Sequence, residues 1–150
     1  MERKLKLTKR VLRNKAKEVK FNKPFQLQKL AVDMISFMVE NKGIGLAAPQ
    51  VGVSKRLFVM YGEDLKDGFM YCFNPSIEEE SNECELGQEG CLSFPGEIIE
   101  VNRPNSIKVK FYDYLGNEKR MDLQGLSARC FMHELDHLDG ITFHERENNV

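Results

Sequence analysis

The stretch Leu126-Ser127-Ala128-Arg129-Cys130-Phe131-Met132-His133-Glu134-Leu135-Asp136-His137-Leu138 decides how this chain is read, because its residues keep helical spacing on two stripes at once. Phe131, Leu135 and Leu138 make an apolar stripe, and Leu126, Cys130, His133 and His137 make a second, before Gly140 ends the pattern. The apolar stripe seeks a core. The second carries two imidazoles four residues apart, which on a helix project from one face within reach of one ion. Glu134 follows the first imidazole directly, where a carboxylate can accept a proton from water without ligating the metal. The spacing therefore predicts a metal-bearing helix inside the fold, its histidines bordering a pocket.

Two imidazoles hold a catalytic ion poorly, so a third protein ligand is needed, with one position left open. His144 lies seven residues on, beyond Gly140; Cys91, between Gly90 and Leu92, is chemically better placed, because a thiolate suits a borderline-soft divalent ion. Around it Glu89-Gly90-Cys91-Leu92-Ser93-Phe94-Pro95-Gly96 reads as a tight turn that brings backbone close to a ligand. Cys72, Cys84 and Cys130 read as buried, inert thiols, with Cys130 also able to line the pocket from the His133 stripe.

Working outward, Leu27, Leu30, Met34, Ile35 and Met38 recur at helical spacing between Pro24 and Lys42, with Gly43 just past the end. Short β-like runs follow at Leu57–Tyr61, Phe69–Phe73 and Glu97–Val101. Ile107, Val109 and Phe111 alternate with Lys108 and Lys110, the turn 114–117 follows, and Glu118–Leu123 returns as the second arm of an antiparallel hairpin. These pieces predict an α+β fold: antiparallel β-sheets around a central metal-binding helix, with an N-terminal helix. Between the first helix and the first strand, Gly43-Ile44-Gly45-Leu46-Ala47-Ala48-Pro49-Gln50-Val51-Gly52 lacks the G-K-[S/T] of a phosphate loop. Its glycines let an extended backbone lie beside a ligand, with Gln50 as a hydrogen-bond donor.

Length and composition bound the rest. The 150 residues suit one domain, 1–150, burying about two-thirds of its unfolded surface. With 41% hydrophobic and 30% charged residues the chain is an ordinary globular sequence, without internal repeats. No run approaches the roughly 20 apolar residues of a membrane span and no secretory signal opens the chain, so a cytoplasmic location with reduced thiols is expected. The net charge of −1 hides an asymmetry: residues 1–29 hold 11 Lys and Arg against Glu2 and Glu18, a surplus of nine. Totals of 22 and 23 leave 11 basic and 21 acidic residues elsewhere. The arm is read as a solvated face against an acidic body, and without an aromatic RNA-binding signature no direct nucleic-acid function is expected.

Three segments in order, Gly43–Gln50, Glu89–Ser93 and His133–His137, resemble the three signature motifs of the peptide deformylases, and the resemblance covers nearly the whole chain. It implies that Cys91, His133 and His137 bind one divalent ion, ferrous in the native protein and replaceable by zinc, nickel or cobalt. It implies Glu134 as base and proton shuttle, with Gln50 and the Leu92 amide stabilising an oxyanion as metal-activated hydroxide attacks a formyl carbonyl. The substrates implied are N-formylmethionyl nascent peptides, releasing formate. Ile44, Leu126, Cys130 and His133 would line the methionine pocket, and the Gly45 backbone would pair with the substrate main chain. Glu89 and Arg103 match positions that pair as ions and brace the Cys91 loop. The chain stops ten residues after Gly140, short of the long C-terminal helix some members use on the ribosome; the basic arm is a candidate substitute for transient ribosome contact, but neutralising Lys9, Arg10 and Arg13 is expected to leave ribosome co-sedimentation unchanged.

Two other readings compete. An H-E-x-x-H metallopeptidase would cut internal amide bonds, but its third ligand is usually Glu or His, against Cys91. A non-catalytic metal module would normally have four protein ligands, whereas three strong candidates leave a position open.

Overall fold

A computed structural model describes residues 4–147. Helix α1, Pro24–Glu40, begins with Pro24, whose missing N–H costs nothing in a first turn. Leu27, Ala31, Met34 and Met38 recur every three or four residues and are its buried side. The helix closes on Lys42, not on Gly43. Lys42 takes the left-handed conformation at φ 59°, its N–H donates to Val39 O, and the Gly43 N–H reaches back to Met38 O.

Seven strands follow: β1 Gly45–Ala47, β2 Leu57–Tyr61, β3 Phe69–Glu80, β4 Cys84–Glu89, β5 Ile99–Pro104, β6 Ser106–Tyr112 and β7 Glu118–Gln124. Five form one antiparallel sheet in the order β1-β2-β3-β6-β7, and β4 pairs with β5 in a second. The hairpin read from alternation is β6–β7, running from Ser106↔Gln124 to Tyr112↔Glu118. Its turn is organised by Asp113, whose carboxylate accepts from the backbone of Leu115 and Asn117. The run expected at Glu97–Val101 is a strand at Ile99–Pro104, and its partner β4 was not anticipated. Cys-Glu-Leu-Gly-Gln-Glu is mostly solvent-facing and carries no apolar alternation to reveal it. Cys84 on that strand is exposed, which corrects its reading as a buried thiol, while Cys72 and Cys130 are buried.

β3 runs seven residues beyond the apolar run because a bulge re-aims it. Asn74, at φ 46°, interrupts the β3–β6 register, and its side-chain amide exchanges hydrogen bonds with Val19 N and O at 2.8 and 3.0 Å. This pins the N-terminal arm. Upstream, Ala16 N donates to Leu138 O and Thr8 N to Gln50 O, so the arm straps the body while most of its Lys and Arg side chains face solvent. Arg13–Glu145 is the one ion pair that the arm before α1 makes with the body among the described residues. Glu2 and Arg3 lie outside those residues.

Helix α2, Gly125–Leu138, runs through the middle, buried on most sides by β1, β2, β6 and the arm. Phe131 meets Phe58 edge to face at 4.9 Å in one core cluster, while α1 packs on β1, β2 and Phe73 in the other. Gly140 ends α2 at φ 76°, with Ile141 N donating to Asp136 O. A Cβ there would lie 2.6 Å from Arg13 O, so glycine answers both the turn and the strap. No helix among the described residues is long and apolar enough to cross a membrane.

Candidate metal centre

Three separate segments bring their polar groups to one place beside α2. The helix presents His133 and His137 one turn apart with ring centroids 5.0 Å from each other, and the loop after β4 presents Cys91. The ligand atoms of Cys91, His133 and His137 all lie within 4.8 Å of one another, with Cys91 Sγ 3.3 Å from His137 Nε2. His144 is elsewhere, bonded to Thr142 and Glu97. The donor set, one sulfur and two imidazoles, fits a borderline-soft divalent ion and leaves a coordination position free.

Each ligand is oriented by a partner. Glu89 Oε1 lies 2.9 Å from His133 Nδ1; a carboxylate only accepts, so Nδ1 is the donor and Nε2 is the ring atom left to ligate an ion. Arg103 grips Glu89 with Nε at 2.6 Å and Nη2 at 2.9 Å, Arg129 adds a contact at 2.8 Å, and Arg103 Nη1 continues to Asp136 at 3.0 Å. Burial alone would raise the Glu89 carboxyl, but the bonds from Arg103 and His133 hold it down to about 2. The Glu89–Arg103 pair is thus buried, not a surface contact. Asp136 and Arg146, which binds Asp136 from near the C-terminus, extend the network and were not singled out in the sequence, because Asp136 reads there as a spacer between the histidines.

The electrostatics favour a cation among these groups. Burial opposes charge on His133, yet Cys91 and Glu89 beside it raise its pKa to about 10. Burial and the neighbouring His133 push His137 down to about 3, keeping its lone pair available. Burial lifts Glu134 to about 7. Its Oε1 is buried without a hydrogen-bond partner among the described residues, as expected of a carboxylate whose partner is a water at the open position.

Gln50 sits on the 3-10 turn 48–51. Its Oε1 accepts from Ala47 N at 2.9 Å, which turns Nε2 toward Ser93 Oγ at 2.9 Å and Cys91 Sγ at 3.6 Å. Ser93, two residues past Cys91, was likewise not singled out in the sequence. The centre opens into a cavity of about 300 Å³, at the lower end for a small-ligand site. Ile44, Gly45, Leu126 and Cys130 all line it with Gln50, Cys91, Leu92, His133 and Glu134, while His137 lies behind. Ile44 and Leu126 are 46% and 66% exposed and so form its rim. Any side chain at Gly45 would collide with Glu134 Oε2 and come within 2.9 Å of Cys130 Sγ, so glycine there lets the strand lie against the carboxylate.

The geometry has close counterparts. The family model for polypeptide deformylase matches residues 1–150. A peptide deformylase of Prochlorococcus marinus strain NATL1A is 48% identical over 119 residues, covering 78% of this chain; the chain spans only 59% of that relative's length. Among solved structures, peptide deformylase from Thermotoga maritima superposes with a TM-score of 0.90 at 40% identity, covering 98% of this chain and 99% of that one. A class I type b peptide deformylase from Acinetobacter baumannii with Met-Ala-Ser bound gives 0.89 at 37%, covering 97% and 99%. Since the family match runs through all three segments that meet at α2, this chain belongs to the polypeptide deformylase family.

Proposed function

We propose that residues 1–150 act as one catalytic domain that removes the N-terminal formyl group, as formate, from formyl-methionyl peptides of newly made proteins. The observation that carries this reading is the meeting of a Cys-His-His donor set, a buried and unpartnered carboxylate and an oriented amide at the floor of one cavity. Cys91, His133 and His137 would hold one divalent ion, ferrous in the native protein and replaceable by zinc, nickel or cobalt. Bound there, the ion supplies Lewis acidity to water and to the formyl carbonyl.

The chain's own residues do the rest. Glu134 takes a proton from the attacking water at its carboxylate, and the water oxygen joins the formyl carbon. Gln50 Nε2 and the Leu92 N–H donate to the oxygen on which charge collects, each worth about 3 kcal/mol in acyl-transfer sites of this kind. The C–N bond then breaks, and Glu134 passes its proton to the departing amine. The methionine side chain occupies the cavity between Ile44, Leu126 and Cys130, while the Gly45 backbone pairs with the substrate main chain. The Acinetobacter protein is solved with Met-Ala-Ser bound, a peptide beginning with methionine, which supports a substrate of this class.

The reading places the protein in the cytoplasm, in transient contact with the ribosome and with no direct nucleic-acid role. If ribosome co-sedimentation is unchanged when Lys9, Arg10 and Arg13 are neutralised, any contact lies off the arm. The deciding experiment is formate release from a formyl-methionyl tripeptide by anaerobically purified protein, beside Glu134→Ala with metal measured in both. Equal metal with formate from the unsubstituted protein alone supports the reading. No formate from the metal-loaded protein, or internal cleavage of unformylated peptides, overturns it.

A further inference from the structure

Strand β1 is an edge of the five-stranded sheet, paired only with β2. Tyr61 N donates to Ile44 O, and antiparallel bonding alternates, so the N–H and C=O of Gly45, opposite Met60, point away from β2. Gly45 lines the cavity, and an extended peptide can add to this edge by main-chain hydrogen bonds. Its direction follows from where the polar groups lie. β1 runs toward Gln50, whose amide faces Cys91, so a peptide with its first residue at that end runs back along β1 and leaves past Gly43 and Lys42.

Lys42 stands on the wall at that exit. Its left-handed backbone is fixed by the hydrogen-bonded turn that closes α1, which holds the residue at the rim. The other charged groups on this wall are engaged or covered: Glu89 and Arg129 are paired at 2.8 Å, and Glu134 is buried beneath Gly45. Among the described residues, Lys42 is the exposed charge on the wall without a carboxylate within 4.0 Å. We propose that Lys42 selects substrates with an acidic side chain at one of the two residues following the methionine. This rests on the deformylation reading and adds to it a charge preference set by this chain's own residue.

An exposed pair of this kind changes kcat/KM by about two- to five-fold, carried mainly by KM. The test measures formate release from formyl-Met-Ala-Ser and its Asp and Lys variants at positions two and three, with the unsubstituted protein, Lys42→Gln and Lys42→Glu. Aspartate should be favoured over lysine at one of these positions, equalised by Lys42→Gln and reversed by Lys42→Glu. Salt should erase the preference between about 0.05 and 1 M, as the screening length contracts toward about 3 Å. If Lys42→Glu does not fold, the salt series on the unsubstituted protein and Lys42→Gln decides. An aspartate-to-lysine ratio that ignores both salt and residue 42, or turnover of the alanine peptide with no charge preference, overturns this inference alone. No formate from any peptide overturns the deformylation reading and this inference with it.

Discussion

Replacing Glu89 by Gln perturbs the group on which both the fold around the centre and the orientation of His133 depend. The carboxylate is buried and accepts from Arg103, Arg129 and His133. Held at about 2, against an unfolded value near 4.3, it contributes about 3 kcal/mol at neutral pH. The figure agrees with the roughly 3–5 kcal/mol lost when one partner of a buried ion pair is removed. Glutamine presents an NH2 group to two guanidiniums, so little is recovered. At about 2–4 °C per kcal/mol for a chain of this size, Glu89→Gln should melt roughly 6–12 °C lower at pH 7 after metal is removed. The folded pKa is depressed, so this stabilisation is present above the unfolded value and is lost as pH falls through the folded one. The gap between the two proteins should therefore close from about pH 5 toward pH 2. The amide oxygen left on the His133 side is neutral and a weaker acceptor than the carboxylate, so His133 Nδ1 is held less firmly and metal affinity should drop about 10- to 100-fold. Scanning calorimetry across pH and metal titration measure both effects. Melting within about 2 °C of the unsubstituted protein at pH 7, together with undiminished metal affinity, would refute the argument.

Other substitutions test other parts of the structure. Gln50→Ala should lower formate release by about 100- to 1000-fold with metal content unchanged, because the loss is a donor to developing charge; equal rates would remove Gln50 from the site. Glu134→Ala should retain metal and lose at least about 100-fold in rate. Gly45→Ala forces β1 away from Glu134 and Cys130, so both rate and stability should fall, the latter by about 1–3 kcal/mol in denaturant unfolding. Gly140→Ala meets Arg13 O while adopting φ 76°, and should cost about 2 kcal/mol or more with little effect on rate in the surviving folded fraction.

Much of the architecture was legible because single periodicities imply single faces. Leu27, Met34 and Met38 at helical spacing and Ile107, Val109 and Phe111 at alternate positions bury the sides they were read to bury. β4 was not legible, since its strand form comes from pairing with β5 and its own side chains are mostly solvated. The end of α1 was read two residues late, at Lys42 instead of Glu40, because hydrogen bonds at the helix end hold Lys42, not the neighbouring glycine, in the left-handed conformation.

The sequence by itself determined the chemical types at the centre. Two histidines one turn apart, an adjacent glutamate and a cysteine flanked by Gly90 are local patterns, readable because helical spacing and turn composition are local properties. Only the tertiary structure decided that Glu89 orients His133, that Arg103 and Arg146 converge on Asp136, and that Ala47 and Ser93 aim the Gln50 amide. These are contacts across as many as 44 positions of chain. A hydrogen bond leaves no period in the sequence, so its partners become visible only when burial forces each polar group to find one.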